Sequence, residues 1–376
     1  MAKRIQPYAA VGLSPTIRGV MKREQIRQNI DHLHEVTTAA CWLSGLDLPV
    51  RLIVIPEGVL QGFTDEIFDW DHEKYAEEVA IDIPGEETKL LGEIAKEFNC
   101  YLVASAKARK PEFPKRFFNI AFLLDPAGKV ILQHHKTSPL FPVEHSVCPH
   151  DVWDAWIELY GKNLQAFWPV VDTELGKIGL SLANEASYPE NVRGLAMNGA
   201  EVVCRPAYPE PHVGNDAWEI QNRARALDNT LYIIAPNAGT YYAVPGGSTP
   251  VDVFGGKSMI VDFKGRVIAR HDYGAGSSYC GGVIDVEALR DFRARSPLMN
   301  WMKDLRTEMY ALIYQQALYP KNLWLRRKPM QHAEYREKVI TPAVQRMYEL
   351  GIWTPPSDVS QSPRAPAKKS ARSRKR

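Results

Sequence analysis

The sequence has no run of about 18 consecutive apolar residues, so a membrane-spanning helix is not expected. Its opening stretch, MAKRIQPYAAVGLSP, is basic but lacks the apolar segment of a secretory signal. Cysteine is scarce: the five, at positions 41, 100, 148, 204 and 280, are scattered, odd in number and form no CxxC pair. A disulfide framework and a structural zinc site are therefore not expected, and a reducing, cytoplasmic compartment fits.

What is present is ordinary globular composition, 45% hydrophobic and 24% charged over 376 residues, enough for a sizeable core. The charge is uneven. Residues 356–376 hold seven Lys/Arg against one Asp, so the chain's +2 less the tail's +6 leaves the body at −4. That Pro/Ser/Ala-rich segment reads as a disordered basic tail. Charge alone would let it touch nucleic acid or an acidic membrane, but a solubilising role suffices and neither is an expected partner.

Strand and helix patterns alternate along the body. Residues 8–13, 51–55, 101–105, 178–182, 201–204, 231–235 and 280–284 read as short buried strands. Residues 25–42, 85–98, 218–227 and 286–293 show helical spacing. Hairpins are expected at 117–134, around Asp125-Pro126-Ala127-Gly128, and at 168–182 and 258–269. The two halves follow the same order, which predicts two mixed sheets face to face with helices outside, a four-layer α-β-β-α sandwich. This domain covers residues 1–298. Residues 60–83 read as a loop-rich insertion with aromatics over the pocket. Residues 299–355 read as a helical arm, with helices at 301–318 and 334–350, that either wraps a second subunit or caps its own.

The chain is organised around residues 176–206, GKIGLSLANEASYPENVRGLAMNGAEVVCRP: strand, sharp elbow, helix, strand. The carboxyl end of a strand before a helix N-terminus is where α/β proteins place reactive groups. Here that spot holds Ala183, whose methyl group can do no chemistry. Two other strands also end on charge, at Pro56-Glu57-Gly58 and His134-His135-Lys136. Taken singly, Glu57 could be a solvated loop residue and Lys136 a guard of a sheet edge.

The ordered set resembles the nitrilase (carbon–nitrogen hydrolase) superfamily over about residues 5–295. VIPEG carries Glu57; HHKTSPLFPVE carries Lys136 and, eight residues on, Glu144; GLSLANEASYPE matches the motif that holds the nucleophilic cysteine. Asn119, RARALDN (223–229), PNAG (236–239) and GGKSMIVD (255–262) match further signatures. Motif alignment puts the nucleophile at Ala183, where the family has cysteine. Either cysteine was replaced by engineering or this is a natural relative that lost it. Glu57, Lys136 and Glu144 all remain, and buried charges have no packing value, which favours a recent replacement and an inactivated form. Cys148 and Cys204 read as structural thiols rather than substitutes.

With cysteine at 183 the resemblance implies hydrolysis through a thioester. Glu57 would be the base and Lys136 the oxyanion donor, aided by the Asn184 backbone N–H. Glu144 would position substrate or lysine, Glu185 would brace the site, and Tyr208 would line the pocket. No metal or organic cofactor is needed, and the spacing of His134, His135, His145 and His150 fits no standard metal pattern. LFPVE resembles the amidase and formamidase branch, and Asn-Glu after position 183 is closer to the N-carbamoyl amidohydrolases. The Cys-Trp-Glu of nitrilases is not matched, so nitrile hydrolysis ranks behind amide or carbamoyl hydrolysis, and a non-catalytic binding protein is the other alternative. The implied partners are a small amide or N-carbamoyl substrate and a homodimer or larger homo-oligomer, paired near residues 190–198.

Overall fold

A computed structural model of the chain describes residues 4–140, 143–208, 216–250, 252, 253, 256–272 and 276–357. Residues 358–376 of the expected tail, Gly255 and part of the LFPVE segment lie outside them.

In chain order the main strands are β1 (Tyr8–Ser14), β2 (Val50–Val54), β3 (Ile81–Asp82), β4 (Tyr101–Arg109), β5 (Phe117–Leu124), β6 (Val130–His135), β7 (Val170–Thr173), β8 (Gly176–Leu180), β9 (Val202–Cys204), β10 (Tyr232–Ala235), β11 (Ser258–Val261), β12 (Val267–His271) and β13 (Ser278–Ile284). They form a seven-stranded sheet, β13-β1-β2-β4-β5-β6 with β3 beside β4, and a six-stranded sheet, β12-β11-β10-β9-β8-β7. Both sheets are mixed: β1, β2 and β4 run parallel, as do β8, β9 and β10, while the hairpin strands are antiparallel. β13 leaves the second half and pairs antiparallel with β1, from Tyr8↔Ile284 to Ser14↔Ser278. This closes the sandwich across the two halves.

The layers follow from burial. Leu52, Val54, Val103 and Leu123 of one sheet meet Ile178, Leu180, Val202, Ile234 and Ile260 of the other. Outside the first sheet lie α1 (Ile26–Ser44), through Ile26, Ile30 and Leu33, and α2 (Glu86–Glu97), through Leu91, Ile94 and Ala95. Outside the second lie α3 (Pro189–Met197), through Val192 and Leu195, and α4 (Ala217–Asn229), through Trp218 and Ala226. Each buried Val, Leu or Ile side chain here stabilises the fold by roughly 1.5–3 kcal/mol. Strand β5, FFNIAFLL, is buried on both faces, which explains why all its residues but Asn119 are apolar.

Three expectations are corrected. The elbow strand ends at Leu180, and residues Ala183–Ser187 form a 3₁₀ turn, because Leu182 N and Glu185 N bond within the turn rather than along the sheet. The insertion at 60–83 contains helical turns at Thr64–Ile67 and His72–Glu78. Residues 301–318 are not one helix: a 3₁₀ turn at Trp301–Asp304 is followed by a short stretch in which an α turn, Thr307–Tyr310, runs directly into a 3₁₀ turn, Ala311–Tyr314. Their apolar side chains Met309, Leu312 and Ile313 stay exposed, so no packing face supports a longer helix. The later helical stretch does form, from His332 to Glu349, with a π segment at Arg336–Ile340. Pro342, which lacks an N–H, accounts for that widened turn. Trp324, Tyr335 and Val339 are buried in the first sheet's outer core, so this part of the arm packs on its own subunit.

Candidate active site

Glu57 lies just past β2, and the loop it sits on is shaped by Gly58. Gly58 has φ +77°, and a Cβ there would fall 2.2 Å from the Phe63 ring, so glycine lets Phe63 lie against the backbone beside Glu57. Lys136 directly follows β6, its N–H donating to Asn119 O at 2.9 Å. Lys136 Nζ is 2.9 Å from Glu57 Oε1 and 2.7 Å from Glu144 Oε2. Asn119 Nδ2 donates to Glu57 Oε1 at 2.7 Å and to Glu144 Oε1 at 3.1 Å. Glu144 also accepts from Leu140 N at 3.0 Å and Ser146 Oγ at 2.6 Å. All three charged groups are buried.

Their environments set them apart. Burial pushes the Glu57 carboxyl above its usual range, with Glu144 adding to this and Lys136 and Asn119 only partly opposing it. Burial acts on Glu144 too, but Lys136 and Ser146 outweigh it and hold Glu144 at about 2. Burial disfavours the Lys136 cation, yet the two carboxylates more than compensate and its pKa is raised. Glu144 and Lys136 thus stabilise each other as an ion pair, beside Glu57, whose carboxyl is the one raised above its usual range.

Ala183 stands after β8 with φ +41°, a left-handed conformation costly for a residue with a Cβ. Its N–H donates to Pro206 O at 2.9 Å, and its carbonyl accepts from Arg205 Nε at 2.8 Å. The elbow is tied to the flanks of Lys136. Glu185 accepts from Thr137 N at 2.6 Å, Thr137 Oγ1 at 2.7 Å and His134 Nε2 at 2.8 Å, and Asn184 Nδ2 donates to Ser138 O at 2.7 Å. Tyr208 is half-buried, its ring centroid 3.6 Å from that of Phe63, which connects it to the Glu57 loop. Glu57, Lys136 and Glu144 thus meet directly, Asn184 and Glu185 adjoin them through residues 137 and 138, and Tyr208 adjoins them through Phe63.

Sequence reasoning missed two groups. Arg205, fully buried, donates to Ala183 O, to Asn222 Oδ1 at 2.7 Å and to Gln221 Oε1 at 3.0 Å, and lies 4.3 Å over the Trp218 ring. Lys107, buried in β4, pairs with Asp65 and, at 2.7 Å, with Glu66. Burial, Asp65 and Glu144 push Glu66 up to about 8 against the pull of Lys107. A lysine inside an otherwise apolar strand was the available signal. Cys148 is no substitute nucleophile: burial and Asp151 raise its thiol well above the usual range. Beside the elbow a groove of about 770 Å³ is lined by Thr137, Ser138, Trp153, Phe167 and Tyr188, but not by Glu57 or Lys136. Among the described residues one group has metal-ligand spacing, Asp69, His145 and His332.

The sequence profile of the family described as carbon-nitrogen hydrolase matches residues 8–293. The chain belongs to the carbon–nitrogen hydrolase family. Among curated members of this family, a formamidase of Bacillus thuringiensis (strain Al Hakam) is 28% identical over 248 residues, 66% of this chain and 64% of its own length. A formamidase of Bacillus cereus (strain Q1) is 28% identical over 275 residues, 72% of each chain. The chain thus spans just under two thirds of the first of these relatives. Solved carbon–nitrogen hydrolase folds superpose well. Nit3 of Saccharomyces cerevisiae, a nitrilase-superfamily member, has a TM-score of 0.60 at 22% identity, covering 79% of this chain and 98% of its own. An alanine-for-cysteine mutant of the amidase from Nesterenkonia sp. AN1, in complex with butyramide, has a TM-score of 0.58 at 18% identity, covering 81% and 96%.

Proposed function

We propose that this carbon–nitrogen hydrolase binds a small amide or N-carbamoyl compound among Glu57, Lys136 and Glu144, and that Ala183 leaves it without the thiol needed for turnover. The observation that carries this reading is the Lys136 ammonium bracketed by Glu57 and Glu144 beside a left-handed Ala183. The formamidase and amidase relatives support an amide substrate.

A thiol restored at 183 gives the cluster its task. Glu57 takes the S–H proton, and the thiolate attacks the carbonyl carbon to form a C–S bond. A lysine ammonium has three N–H donors, and two point at Glu57 and Glu144. The third, with the Asn184 backbone N–H, receives the oxyanion. As the C–N bond breaks, Glu57 returns its proton to the departing ammonia or amine. Water, deprotonated by Glu57, then attacks the thioester, and the acid leaves as the thiol regains its proton. Loss of such a nucleophile lowers turnover on the order of a millionfold. The buried methyl of Ala183 also favours a second reading, a natural binding protein that holds the same ligands without turning them over.

The remaining assignments are a hydrolase domain at 1–298, an arm at 299–355, a basic tail at 356–376, a homo-oligomeric assembly and a cytoplasmic location. Among the described residues no helix is long and apolar enough to cross a membrane.

Ammonia release by the Ala183→Cys protein and the chain as it stands, over a panel of amides, N-carbamoyl amino acids and nitriles, tests the reading. Activity confined to the Ala183→Cys protein supports it and identifies the substrate class. A folded Ala183→Cys protein that is silent, while the parent chain binds the same amides, favours the binding protein. Silence without binding refutes both.

A further inference from the structure

Asp69 from the insertion, His145 from the loop carrying Glu144, and His332 from the arm converge at one point. Their candidate ligand atoms all lie within 4.8 Å of one another. Asp69 Oδ1 is 3.1 Å from His145 Nε2 and 3.7 Å from His332 Nδ1. Metal bonds of about 2.0–2.1 Å at a tetrahedral angle separate neighbouring donor atoms by about 3.3 Å, so both spacings suit one ion.

The nitrogen atoms are set up for ligation. His332 Nε2 lies 2.8 Å from Val143 O, and since a carbonyl only accepts, that nitrogen carries the proton and Nδ1 keeps its lone pair toward Asp69. The His145 side chain is 3% exposed, and its Nε2 is buried without a hydrogen-bond partner although Asp69 Oδ1 is near. A buried polar nitrogen left so is costly, and a cation among the three side chains would satisfy it. The two rings meet edge to face, centroids 4.5 Å apart, around the same carboxylate. Asp69 is held in turn, its Oδ1 accepting from His332 N at 3.2 Å and its carbonyl from Gln331 Nε2 at 2.8 Å.

We infer that Asp69, His145 and His332 bind one zinc ion, which clasps the C-terminal arm to the insertion and to the loop carrying Glu144. Two imidazoles and a carboxylate suit zinc and leave a fourth position for water. His145 adjoins Glu144, so the ion would fix the loop behind that residue, and the inference stands whether or not the pocket hydrolyses amides. The ligands lie 76 and 187 residues apart, which is why no histidine spacing in the sequence suggested them.

Untagged full-length protein, stripped with chelator and titrated with zinc chloride, tests this by bound metal and thermal midpoint. One zinc per chain and a midpoint several degrees higher are expected, both reversed by chelator. His332→Gln, which can still donate to Val143 O, should lose at least tenfold in zinc affinity together with the thermal shift, whereas His32→Ala, elsewhere on α1, should change neither. Failure to bind zinc, or binding that His332→Gln leaves intact, overturns the inference.

Discussion

Lys136 Nζ stands 2.9 Å from Glu57 Oε1 in a space where neither side chain is more than 6% exposed. Glu144 shares the same ammonium. Removing the shared cation should therefore hurt far more than neutralising one anion. Lys136→Met strands two buried carboxylates and should cost about 3–5 kcal/mol at pH 7. Glu57→Gln keeps an oxygen to accept from Lys136 and Asn119, with Glu144 still balancing the lysine, and should cost under about 1.5 kcal/mol. Urea unfolding of the two variants measures both. Equal losses would mean that the lysine is not the hub of the cluster.

In the Ala183→Cys background the same Glu57→Gln change should lower kcat/KM by at least about 100-fold, the ordinary contribution of general acid–base catalysis. The raised pKa of Glu57 also sets a pH profile. The base works when ionised, so activity should rise with pH through a value above the usual carboxylate range. An acid limb centred near 4.5, where an ordinary glutamate titrates, would remove Glu57 from that role.

Arg205 holds the elbow through the Ala183 carbonyl and two side-chain oxygens on α4. Arg205→Lys cannot reproduce that fork and leaves buried acceptors unpaired, at an expected cost of about 2–4 kcal/mol. Thermal unfolding checks the stability loss. Arg205→Lys in the Ala183→Cys background should lower kcat more than it raises KM, because the elbow positions the nucleophile.

Glu185 gives the elbow an acid-sensitive element. Burial alone would raise its pKa, but His134 and the Leu182 and Thr137 donors outweigh it, and the folded value falls below the ordinary 4.5. A depressed folded pKa means that the unfolded chain binds more protons. The stabilisation is present above about pH 4.5 and is lost as pH falls through the lower folded value. Glu185→Gln should thus be destabilised relative to the parent at pH 7, with the gap narrowing below pH 4.5. Urea midpoints from pH 3 to 7 test this, and a gap that widens on acidification would contradict it.

The fold was legible because its strands are short, apolar and punctuated by turns such as Asp125–Gly128, and because helical spacing intervenes. Glu57 and Lys136 stood out as charges directly after such strands. What stayed hidden depends on pairing across the chain. Lys107 meets Asp65 and Glu66 across 42 and 41 residues, and nothing near Lys107 names its partners. Arg205 looked like any arginine before a proline until α4 was laid against it. The return of β13 to β1 joins the two ends of the domain, and local pattern carries no such information. Residues 301–318 have helical composition, but with nothing to pack on they form only short helical pieces, Trp301–Asp304 and 307–314.

Leu312 and Ile313 are 62% and 67% exposed, and the neighbouring Tyr314 hydroxyl donates to Glu190 on α3. Met197 at the end of α3 and Ile220 on α4 are exposed as well. Exposed apolar side chains on the arm, next to the Tyr314–Glu190 bond that ties it to α3, fit burial against a second copy of the chain. The expected assembly is a homodimer or a larger homo-oligomer. Covering two side chains of this size contributes about 3–6 kcal/mol per protomer, so Leu312→Asp with Ile313→Asp should weaken association by well over 100-fold. Light scattering after size exclusion should show dimer or larger for the parent and monomer for the double variant, with circular dichroism unchanged. A monomeric parent at tens of micromolar, or an oligomer indifferent to the double substitution, would place the subunit contact elsewhere and leave these side chains as plain surface.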